Sequence, residues 1–493
     1  MKEHLFLYGP PASGKSTLGG ILASRFNLQF SDLDGVIEAA AGKTIPEIFA
    51  EEGEQGFRRR ELDALRNLSS QAPRVVALGG GALLAPEARK VAEERGIAVA
   101  LDVPAETLRE RAAKARGSRP LAADTAALDR LLEQRAAHYA TFPRAASLSG
   151  YFTVEARGEH SRMFVGRGML ASAAAWLRTV GCSERVLVVS DTNAGPLYAE
   201  KLRDALNAGG FSAELFEFKA GEESKTLATV ASIWNACLKA GLTRKDTIVS
   251  VGGGVVGDLS GFAAATWMRG IRWINVPTTL LAMVDSSFGG KTGCDLPEGK
   301  NLVGAFHQPE LVLADTDVLA TLPPREFRNG LAEAIKHSII SPDAFADVDC
   351  PRPEDSSNGD ALSSFVAAAV SVKARIVASD PFEKTGERAK LNLGHTVGHA
   401  VEVLTGFKVS HGEAVAIGTV EEARLAERQG LAAAGFGNDI AARFAAAGLP
   451  VALPKGLSFD DLVPVMMRDK KNSHGRIRYA LPFAMGDVRL TSP

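Results

Sequence analysis

The sequence predicts two α/β domains in succession, followed by a mostly α-helical domain. Short apolar strands alternate with helical stretches from residue 4 to about 149, and a second alternation of the same kind starts at residue 185. Beyond Leu322 the strand patterns give way to long helical ones. The chain has 493 residues, which is enough for about three domains of roughly 150 residues each. We therefore place the domains at residues 1–153, 154–321 and 322–493.

The composition is that of a globular chain and argues against several classes of partner. Hydrophobic residues make up 46% and charged residues 23%, which supplies apolar material for cores and gives no reason to expect extended disorder. The net charge is only -2, so we expect no nucleic-acid partner. The four cysteines have no C-x-x-C spacing, which is typical of a reducing compartment. No apolar run reaches the ~18 residues of a membrane span, so we expect a cytoplasmic protein without a membrane segment.

A phosphate-binding loop follows the first strand of the first domain. Residues Gly9 to Ser16 match the pattern G-x-x-x-x-G-K-[ST], with an apolar strand before them and a helix-compatible run after them. In such a loop the backbone N–H groups point at a phosphate, Lys15 reaches the outer phosphates, and the Ser16 hydroxyl can ligate Mg²⁺. The loop predicts a nucleotide site but does not by itself define the reaction.

The residues that follow the loop narrow the reaction. Four segments occur in order: Ser31–Asp34 at the end of the second strand, Phe57–Glu61 at a basic helix, Gly79–Gly81 after the third strand, and Arg119–Leu121 in an arginine-rich stretch. Taken singly each has an ordinary explanation, such as a solvated helix face or a plain turn. Their joint order resembles shikimate kinase. The resemblance implies ATP-dependent phosphorylation of shikimate to shikimate 3-phosphate.

The same resemblance implies a set of site residues in the first domain. ATP is expected at Gly9, Ser13, Gly14, Lys15, Ser16, Thr17 and Arg119, with Lys15 and Arg119 also catalytic and Arg119 on a mobile lid. Shikimate is expected at Asp34, Arg58, Gly80, Gly81 and Arg135, with Asp34 as the base and the two arginines on the carboxylate. Magnesium is expected at Ser16 and Asp32.

A dinucleotide site is predicted in the second domain. Residues Gly252 to Gly257 match G-x-G-x-x-G between a strand and a helix, so a pyrophosphate can lie against the helix N-terminus. The usual ribose-binding acid about 20 positions later is missing, because no Asp or Glu occurs between Asp258 and Asp285. Asp191 follows an earlier strand and could hold a ribose from there.

Three of the nine histidines stand close together in the helical domain. His395 and His399 lie one helical turn apart, and His411 follows soon after. A single helical histidine is usually structural, but a cluster of imidazoles with the carboxylate of Glu333 is the pattern of a catalytic zinc site with open positions.

The glycine-rich and histidine-rich segments together resemble 3-dehydroquinate synthase. The likeness is nearly continuous through VGGGVVGDLSGFAAATWMRG and VPTTLLAMVDSSFGGKTGCDLPEGKNLVGAFHQP, and it extends through LNLGHTVGHAVE, HGEAVAIG and RDKKN. It covers most of residues 160 to 480. The resemblance implies cyclisation of 3-deoxy-arabino-heptulosonate 7-phosphate to 3-dehydroquinate with release of phosphate, with NAD as a recycled cofactor and zinc or cobalt as the metal.

This second resemblance also implies site residues. NAD is expected at Asp191, Asn193, Glu222, Lys225, Gly253, Gly254, Asp258, Thr278, Thr279, Lys300 and Thr321. The phosphorylated substrate is expected at Arg269, Lys291, Lys300, Asn301, Lys336, Lys373, Arg388, Asn392 and Lys471. The metal ligands are expected to be Glu333, His395 and His411, while Asp285, Lys291 and the non-ligand His399 are expected to be catalytic.

The predicted fold class is an α/β P-loop kinase domain with a parallel sheet, then an α/β NAD-binding domain and a mostly α-helical metal-binding domain. We expect a bifunctional enzyme that acts on small molecules and forms a homodimer through the synthase part. One alternative is a single-activity synthase with a regulatory nucleotide-binding module, suggested by Ala12 in place of the usual glycine and by the short end of the first domain. Another is a metal-dependent polyol dehydrogenase, which would not need the phosphate-binding lysines Lys291 and Lys300.

Overall fold

The computed structural model describes residues 3–114, 125–156, 158–467 and 477–492. The chain forms two compact units. Unit one comprises Met1–Ser149, Gly166–Glu184 and Asp204–Ser212, and unit two comprises Gly150–Val165, Arg185–Arg203 and Ala213–Pro493. Two of the predicted site residues, Arg119 and Lys471, lie outside the described residues. The domain boundaries at residues 153 and 321 stay predictions.

Unit one contains a five-stranded parallel sheet in the order β2-β3-β1-β4-β5. The strands are β1 His4–Tyr8, β2 Gln29–Asp32, β3 Arg74–Ala77, β4 Gly96–Leu101 and β5 Arg144–Ala145. The helices of this region are α1 Lys15–Arg25, α2 Leu33–Ala41, α3 Ile45–Ser69, α4 Pro86–Arg95, α5 Ala105–Lys114, α6 Thr125–Tyr139 and, after a gap in sequence, α7 Ala173–Thr179. Every residue of β1 and β3 is buried, as expected where helices cover both faces of a parallel sheet. The prediction of a parallel α/β fold is therefore confirmed.

A seven-stranded sheet in the order β6-β7-β14-β11-β10-β8-β9 follows. Its strands are β6 Ser147–Ala156, β7 Glu159–Arg167, β8 Arg185–Asp191, β9 Ser212–Phe218, β10 Thr247–Gly252, β11 Arg272–Pro277 and β14 Leu311–Asp315. The central strands β8, β10, β11 and β14 run parallel. A separate hairpin pairs β12 Lys291–Leu296 with β13 Gly299–Phe306, and the helices are α8 Glu200–Ala208, α9 Leu227–Lys239 and α10 Gly254–Thr266.

The remainder of unit two is mostly helical, as predicted. Its helices are α11 Pro324–Ile340, α12 Gly359–Ser379, α13 His395–Leu404, α14 His411–Arg428, α15 Phe436–Ala446 and α16 Phe459–Met467. A hairpin of β15 Tyr479–Ala484 and β16 Asp487–Thr491 closes the described chain. By length and composition α12 could cross a membrane, with a mean hydropathy of 1.6. However, 67% of its most apolar window is buried inside the protein, which is also typical of a core helix.

Glycines bring α11, α13 and α14 into backbone contact. A Cβ atom at Gly418 of α14 would lie 2.0 Å from the carbonyl oxygen of Gly394, which precedes α13. A Cβ atom at Gly412 would lie 2.1 Å from the carbonyl oxygen of Asn329 on α11. No larger residue fits at such distances without a shift of the main chain. The start of α13 is therefore held against the first half of α14, and the first turn of α14 is held against α11 near Asn329.

Candidate active sites

The P-loop of unit one lies between β1 and α1. Gly9 has φ 123°, and a Cβ atom there would lie 3.1 Å from the carbonyl oxygen of Leu101, while Gly14 before α1 has φ 91°. Both positions require glycine because L side chains rarely adopt this backbone conformation. The buried Lys15 ammonium donates hydrogen bonds to the carbonyl oxygens of Gly9 (2.9 Å) and Pro10 (2.7 Å). The lysine is thus held over the loop that would receive the phosphates.

The two predicted magnesium ligands lie side by side at the carboxyl edge of this sheet. The Ser16 hydroxyl donates to Oδ2 of Asp32 at 2.5 Å, and the N–H of Asp34 donates to Oδ1 of Asp32 at 3.1 Å. Asp32 is also the N-cap of α2, so its carboxylate is fixed next to the P-loop. A hydroxyl beside a carboxylate at a phosphate loop fits a Mg²⁺ ion, which prefers oxygen ligands.

The predicted shikimate residues converge on the glycines that follow β3. A Cβ atom at Gly81 would lie 2.5 Å from Nη2 of Arg58, and one at Gly79 would lie 3.1 Å from Oδ1 of Asp34. Arg58 is ion-paired with Glu61 (Nη1 to Oε2, 2.6 Å), and burial raises the pKa of the Glu61 carboxyl although Arg58 opposes this rise. Arg135 also opposes the rise in the pKa of Glu61, which shows that Arg135 lies near the same cluster.

Two residues of unit one were missed by the sequence analysis. Glu61 is 2% exposed and orients Arg58, and the only signal for it was an acid one helical turn after that arginine. Arg111 on α5 donates from Nη1 to the carbonyl oxygen of Ser13 in the P-loop at 3.3 Å. Nothing in the order of motifs predicts this contact, because it depends on how α5 packs against the loop.

The predicted dinucleotide site lies where β10 ends and α10 begins. Gly253 is the N-cap of α10, and the N–H of Thr278 donates to the carbonyl oxygen of Gly252 at 2.9 Å. Added Cβ atoms at Gly253 and Gly254 would lie 3.3 Å from Thr279 and 3.1 Å from Ser286, respectively. The helix N-terminus and the threonines after β11 therefore line one crevice, the geometry that suits a pyrophosphate.

Five of the predicted NAD and substrate residues form one polar network, in which Glu222 helps to raise the pKa of Lys225. The buried Lys225 ammonium lies 2.7 Å from Oδ2 of Asp258 and donates to Oδ1 of Asn301 at 2.7 Å. Burial raises the pKa of Asp258, although Lys225 opposes the rise, and the same carboxylate raises the pKa of Lys225 against its burial. Lys300 on β13 lies 3.3 Å from Oε1 of Glu222.

Three further NAD candidates lie elsewhere around the parallel sheet. Asp191 ends β8, and its Oδ1 accepts the N–H groups of Asn193 and Ala194, both at 2.9 Å. Thr321 is hydrogen-bonded to the Tyr198 hydroxyl, which also donates to the carbonyl oxygen of Val318 at 2.7 Å. Among the described residues, no hydrogen bond or ion pair joins these three side chains to the Lys225 network.

The three predicted metal ligands meet in the helical part of unit two. Glu333 on α11 is fully buried, and its Oε1 lies 3.4 Å from Nε2 of His395 and 3.4 Å from Nε2 of His411. Within the described chain this buried oxygen has no hydrogen bond of ordinary geometry. Nδ1 of His395 faces the carbonyl oxygen of Leu393 at 3.2 Å, which leaves its Nε2 to act as a ligand. One orphaned carboxylate oxygen and two convergent imidazole nitrogens fit a zinc or cobalt ion.

The charges around this centre are strongly coupled. Burial alone would raise the pKa of Glu333, but Lys336, which is ion-paired with its Oε2, and the two histidines hold that pKa well below its usual value. Burial holds the pKa of His395 well below its usual value. The pKa of His411 is raised to about 10 despite burial, because Glu333 and Glu402 flank the ring. In the metal-free protein at neutral pH, His411 is therefore charged and His395 is neutral.

Several cations expected to bind the substrate lie near the metal centre and are paired with acids. Lys373 lies 2.6 Å from Oδ1 of Asp285, and burial lowers the pKa of Lys373 although Asp285 opposes the change. Lys291 and Arg388 share Oε1 of Glu383, at 2.5 Å and 3.8 Å. Glu383 was missed by the sequence analysis because it is separated by 92 positions from Lys291.

The remaining predictions divide into residues near the centre and residues apart from it. The His399 ring lies 5.3 Å from the His395 ring and 6.2 Å from the His411 ring, as expected for a neighbour of the ligands. Asn392 ends a helical turn just before α13. Arg269 is exposed on a turn after α10, and in the described ranges no hydrogen bond or ion pair joins it to the other substrate candidates.

Comparison with protein families divides the chain in the same order as the motifs. Residues 11–154 match the shikimate kinase family, residues 215–329 match the N-terminal part of 3-dehydroquinate synthase, and residues 330–472 match its C-terminal part. The 3-dehydroquinate synthase of Symbiobacterium thermophilum is 45% identical over 337 residues, which cover 68% of this chain and 94% of that protein.

Two solved structures resemble the same part of the chain. The 2-epi-5-epi-valiolone synthase of Streptomyces hygroscopicus, with NAD⁺ and Zn²⁺ bound, has a TM-score of 0.60 at 28% identity and covers 68% of this chain and 92% of its own. A 2-deoxy-scyllo-inosose synthase in complex with carbaglucose-6-phosphate, NAD⁺ and Co²⁺ has a TM-score of 0.62 at 26% identity, with 69% and 94% covered. Together with the family matches, these likenesses show that the chain belongs to the 3-dehydroquinate synthase family, carries a shikimate kinase domain before the synthase, and is a bifunctional shikimate-pathway enzyme.

Proposed function

We propose that the two activities reside in the two sites described above. The P-loop edge of unit one phosphorylates shikimate to shikimate 3-phosphate. The centre at Glu333, His395 and His411, with the Lys225 network, converts 3-deoxy-arabino-heptulosonate 7-phosphate to 3-dehydroquinate and phosphate. The observation that carries the proposal is the convergence of two imidazole Nε2 atoms on one orphaned carboxylate oxygen, 3.4 Å from each, close to the buried cations.

In the kinase site the protein mainly positions reactants and neutralises charge. Lys15 leaves the carbonyl groups of the loop to contact the outer phosphates of ATP. Ser16 and Asp32 would hold a magnesium ion, which would neutralise phosphate charge. Asp34, next to Gly79, accepts the proton of the attacking hydroxyl group. Arg58, oriented by the buried Glu61, binds the carboxylate of shikimate together with Arg135.

In the synthase site the bound cofactors supply hydride transfer and polarisation of a substrate hydroxyl group. The side chains of the protein bind and orient the substrate. Lys291, Lys373 and Arg388 provide positive charge for the phosphate and carboxylate groups, and each is held in place by an acid when the substrate is absent. His399, beside the ligand imidazoles, is placed to move a proton between the substrate and solvent.

The cofactors and partners follow from the donor sets and from the relatives. We assign NAD and either zinc or cobalt to unit two, since two related synthases contain NAD⁺ with Zn²⁺ or Co²⁺ and the ligands here suit both metals. Magnesium with ATP is assigned to unit one. Only small-molecule substrates are assigned as partners, apart from a second copy of the chain bound through the synthase part. The cytoplasm is the proposed location, because the composition suits a reducing compartment.

The test uses the purified full-length chain and two assays. Lys15→Met should abolish shikimate-dependent formation of ADP and leave phosphate release from the heptulosonate substrate intact. His411→Ala should have the reverse effect. A wild-type protein that releases phosphate from the heptulosonate but forms no ADP with shikimate would refute the kinase assignment and favour a regulatory nucleotide-binding module. Net accumulation of NADH without phosphate release would instead favour a polyol dehydrogenase.

A further inference from the structure

Glu402 is a buried acid to which the proposed mechanism gives no role. It lies on α13 two helical turns after His395, so both residues are on the same face of that helix. The residue is only 5% exposed. A carboxylate is costly to bury unless it is paired, and its partners therefore indicate what it does.

One partner is the candidate metal ligand His411. The Nδ1 atom of His411 lies 3.6 Å from Oε2 of Glu402, while Nε2 of the same ring lies 3.4 Å from Oε1 of Glu333. The two nitrogen atoms of the His411 ring thus lie near different carboxylates. In metal sites, an acceptor on the far nitrogen fixes the tautomer and the orientation of the ring. Glu402 stands in that position for His411, as the carbonyl oxygen of Leu393 does for His395.

The other partner is Lys300, a candidate NAD residue. Its ammonium group lies 3.6 Å from Oε1 of Glu402 and 3.3 Å from Oε1 of Glu222, and it lies over the ring of Phe407 at 4.5 Å from the centroid. The N–H of Phe407 donates to the carbonyl oxygen of Glu402 at 2.8 Å, which ties this ring to the end of α13. Lys300 is therefore shared between an acid of the nucleotide site and the acid that faces the metal ligand.

Glu402 could alternatively be a ligand itself. His399, Glu402 and His411 each offer an atom within 4.8 Å of the others, as do Glu333, His395 and His411. The group of Glu333, His395 and His411 is favoured because it uses the Oε1 atom of Glu333, which has no hydrogen bond of ordinary geometry. The carboxylate of Glu402, in contrast, already faces a cation on one oxygen and an imidazole on the other.

We propose that Glu402 is a positioning residue for His411 and that Lys300 couples nucleotide binding to this metal ligand through Glu402. The inference rests on the proposed function, because it requires that unit two binds both NAD and a metal. When the nucleotide engages Lys300, this ammonium group competes less for the carboxylate of Glu402. The carboxylate then attracts the N–H of the His411 imidazole more strongly. NAD should therefore tighten metal binding, and by linkage the metal should tighten NAD binding by the same factor.

The experiment measures cobalt affinity of the metal-free full-length chain by chelator competition and by the visible absorption of bound Co²⁺, with and without saturating NAD. In the wild type, NAD should tighten cobalt binding about fivefold or more. Glu402→Gln should weaken cobalt binding by about 10–100-fold and remove the effect of NAD. Lys300→Met should bind cobalt without NAD as tightly as the wild type does with NAD, and should gain nothing further from NAD.

Two matched controls remove the same charges nearby. Glu298→Gln and Lys408→Met change exposed residues and should keep the wild-type response to NAD. If Glu402→Gln does not fold, as judged by circular dichroism, Lys300→Met decides the coupling because it leaves Glu402 in place.

The outcomes separate the inference from the function on which it rests. An unchanged cobalt affinity in Glu402→Gln would overturn the positioning role. A loss of affinity well beyond 100-fold, with a changed spectrum of the cobalt that still binds at high concentration, would make Glu402 a ligand instead. A response to NAD that persists in Lys300→Met would overturn the coupling. A wild-type chain that binds NAD but no cobalt, or cobalt but no NAD, would overturn the proposed function itself.

Discussion

Replacing Lys336 with methionine would leave the buried carboxylate of Glu333 without its main counter-ion. Lys336 is 1% exposed and Glu333 is fully buried, and the two side chains form an ion pair one helical turn apart on α11. The Lys336 ammonium also donates to the carbonyl oxygen of Leu391 at 2.8 Å. Methionine keeps the length of the side chain, so the change removes charge and hydrogen bonding with little change in volume.

Removing one partner of a buried ion pair typically costs about 3–5 kcal/mol, because an uncompensated charge remains. The lost hydrogen bond to Leu391 is part of that cost. We therefore expect Lys336→Met to lower the free energy of unfolding of the metal-free protein by about 3–5 kcal/mol. A bound divalent ion supplies positive charge to the same carboxylate, so the loss should be clearly smaller with zinc or cobalt present. Glu333→Gln in the same chain should also recover part of it.

The assay is urea-induced unfolding followed by tryptophan fluorescence, with chelator or with saturating cobalt. Because the chain has two compact units, the relevant transition is the one whose midpoint moves when cobalt is added. A loss below about 1 kcal/mol in the metal-free protein would mean that the pair behaves like a surface salt bridge. Equal losses with and without cobalt would refute the idea that metal and lysine compensate the same charge.

Three further outcomes are expected. Metal binding at pH 8 should release about one proton, because the pKa of His411 is about 10 and the ligand must be deprotonated. Calorimetry in two buffers of different ionisation enthalpy counts the released protons, and a count near zero would contradict this reasoning. Gly418→Ala should lower both the melting temperature and the metal affinity, since its Cβ atom would lie 2.0 Å from the Gly394 carbonyl oxygen. Gly20→Ala should lower neither, because no atom lies within 4 Å of its added Cβ atom. The pKa of Asp380 is lowered from 3.8 to about 2 because backbone N–H groups outweigh its burial. Its contribution to stability is therefore present above pH 3.8 and is lost towards pH 2. The difference in unfolding midpoint between wild type and Asp380→Asn should shrink over that range, and a constant difference would refute this expectation.

The parts of the fold that could be predicted are those with local patterns. The strand, loop and helix at Gly9–Ser16 follow one another within a short segment, and every property of a P-loop is visible there. The same is true of the strand–glycine–helix unit at β10 and α10 and of the long helices after Leu322. The hairpin of β15 and β16 has no comparable signal, because its short strands form only when they pair with each other.

Two of the residues that sequence reasoning missed, Glu383 and Glu402, each pair with a lysine far away in the chain. Glu402 gains meaning only from Lys300 and His411, and Glu383 only from Lys291 and Arg388. An acid on a helix has no local pattern that distinguishes a surface charge from a buried counter-ion. Packing of separate elements makes that distinction, so these pairings had to be found in three dimensions.

The backbone contacts among α11, α13 and α14 have a consequence for ion size. Where helices touch through Gly394, Gly412 and Gly418, the separation of the ligand side chains is set by main-chain atoms, which yield less than side chains do. Zinc and cobalt sites need short bonds of about 2.0–2.2 Å to nitrogen and carboxylate oxygen, whereas calcium needs about 2.3–2.6 Å and more ligands. Helices in backbone contact cannot change the spacing of their ligands to suit a larger ion without a large cost in free energy. We therefore expect the glycines to contribute to discrimination against calcium, although none of them is a candidate ligand.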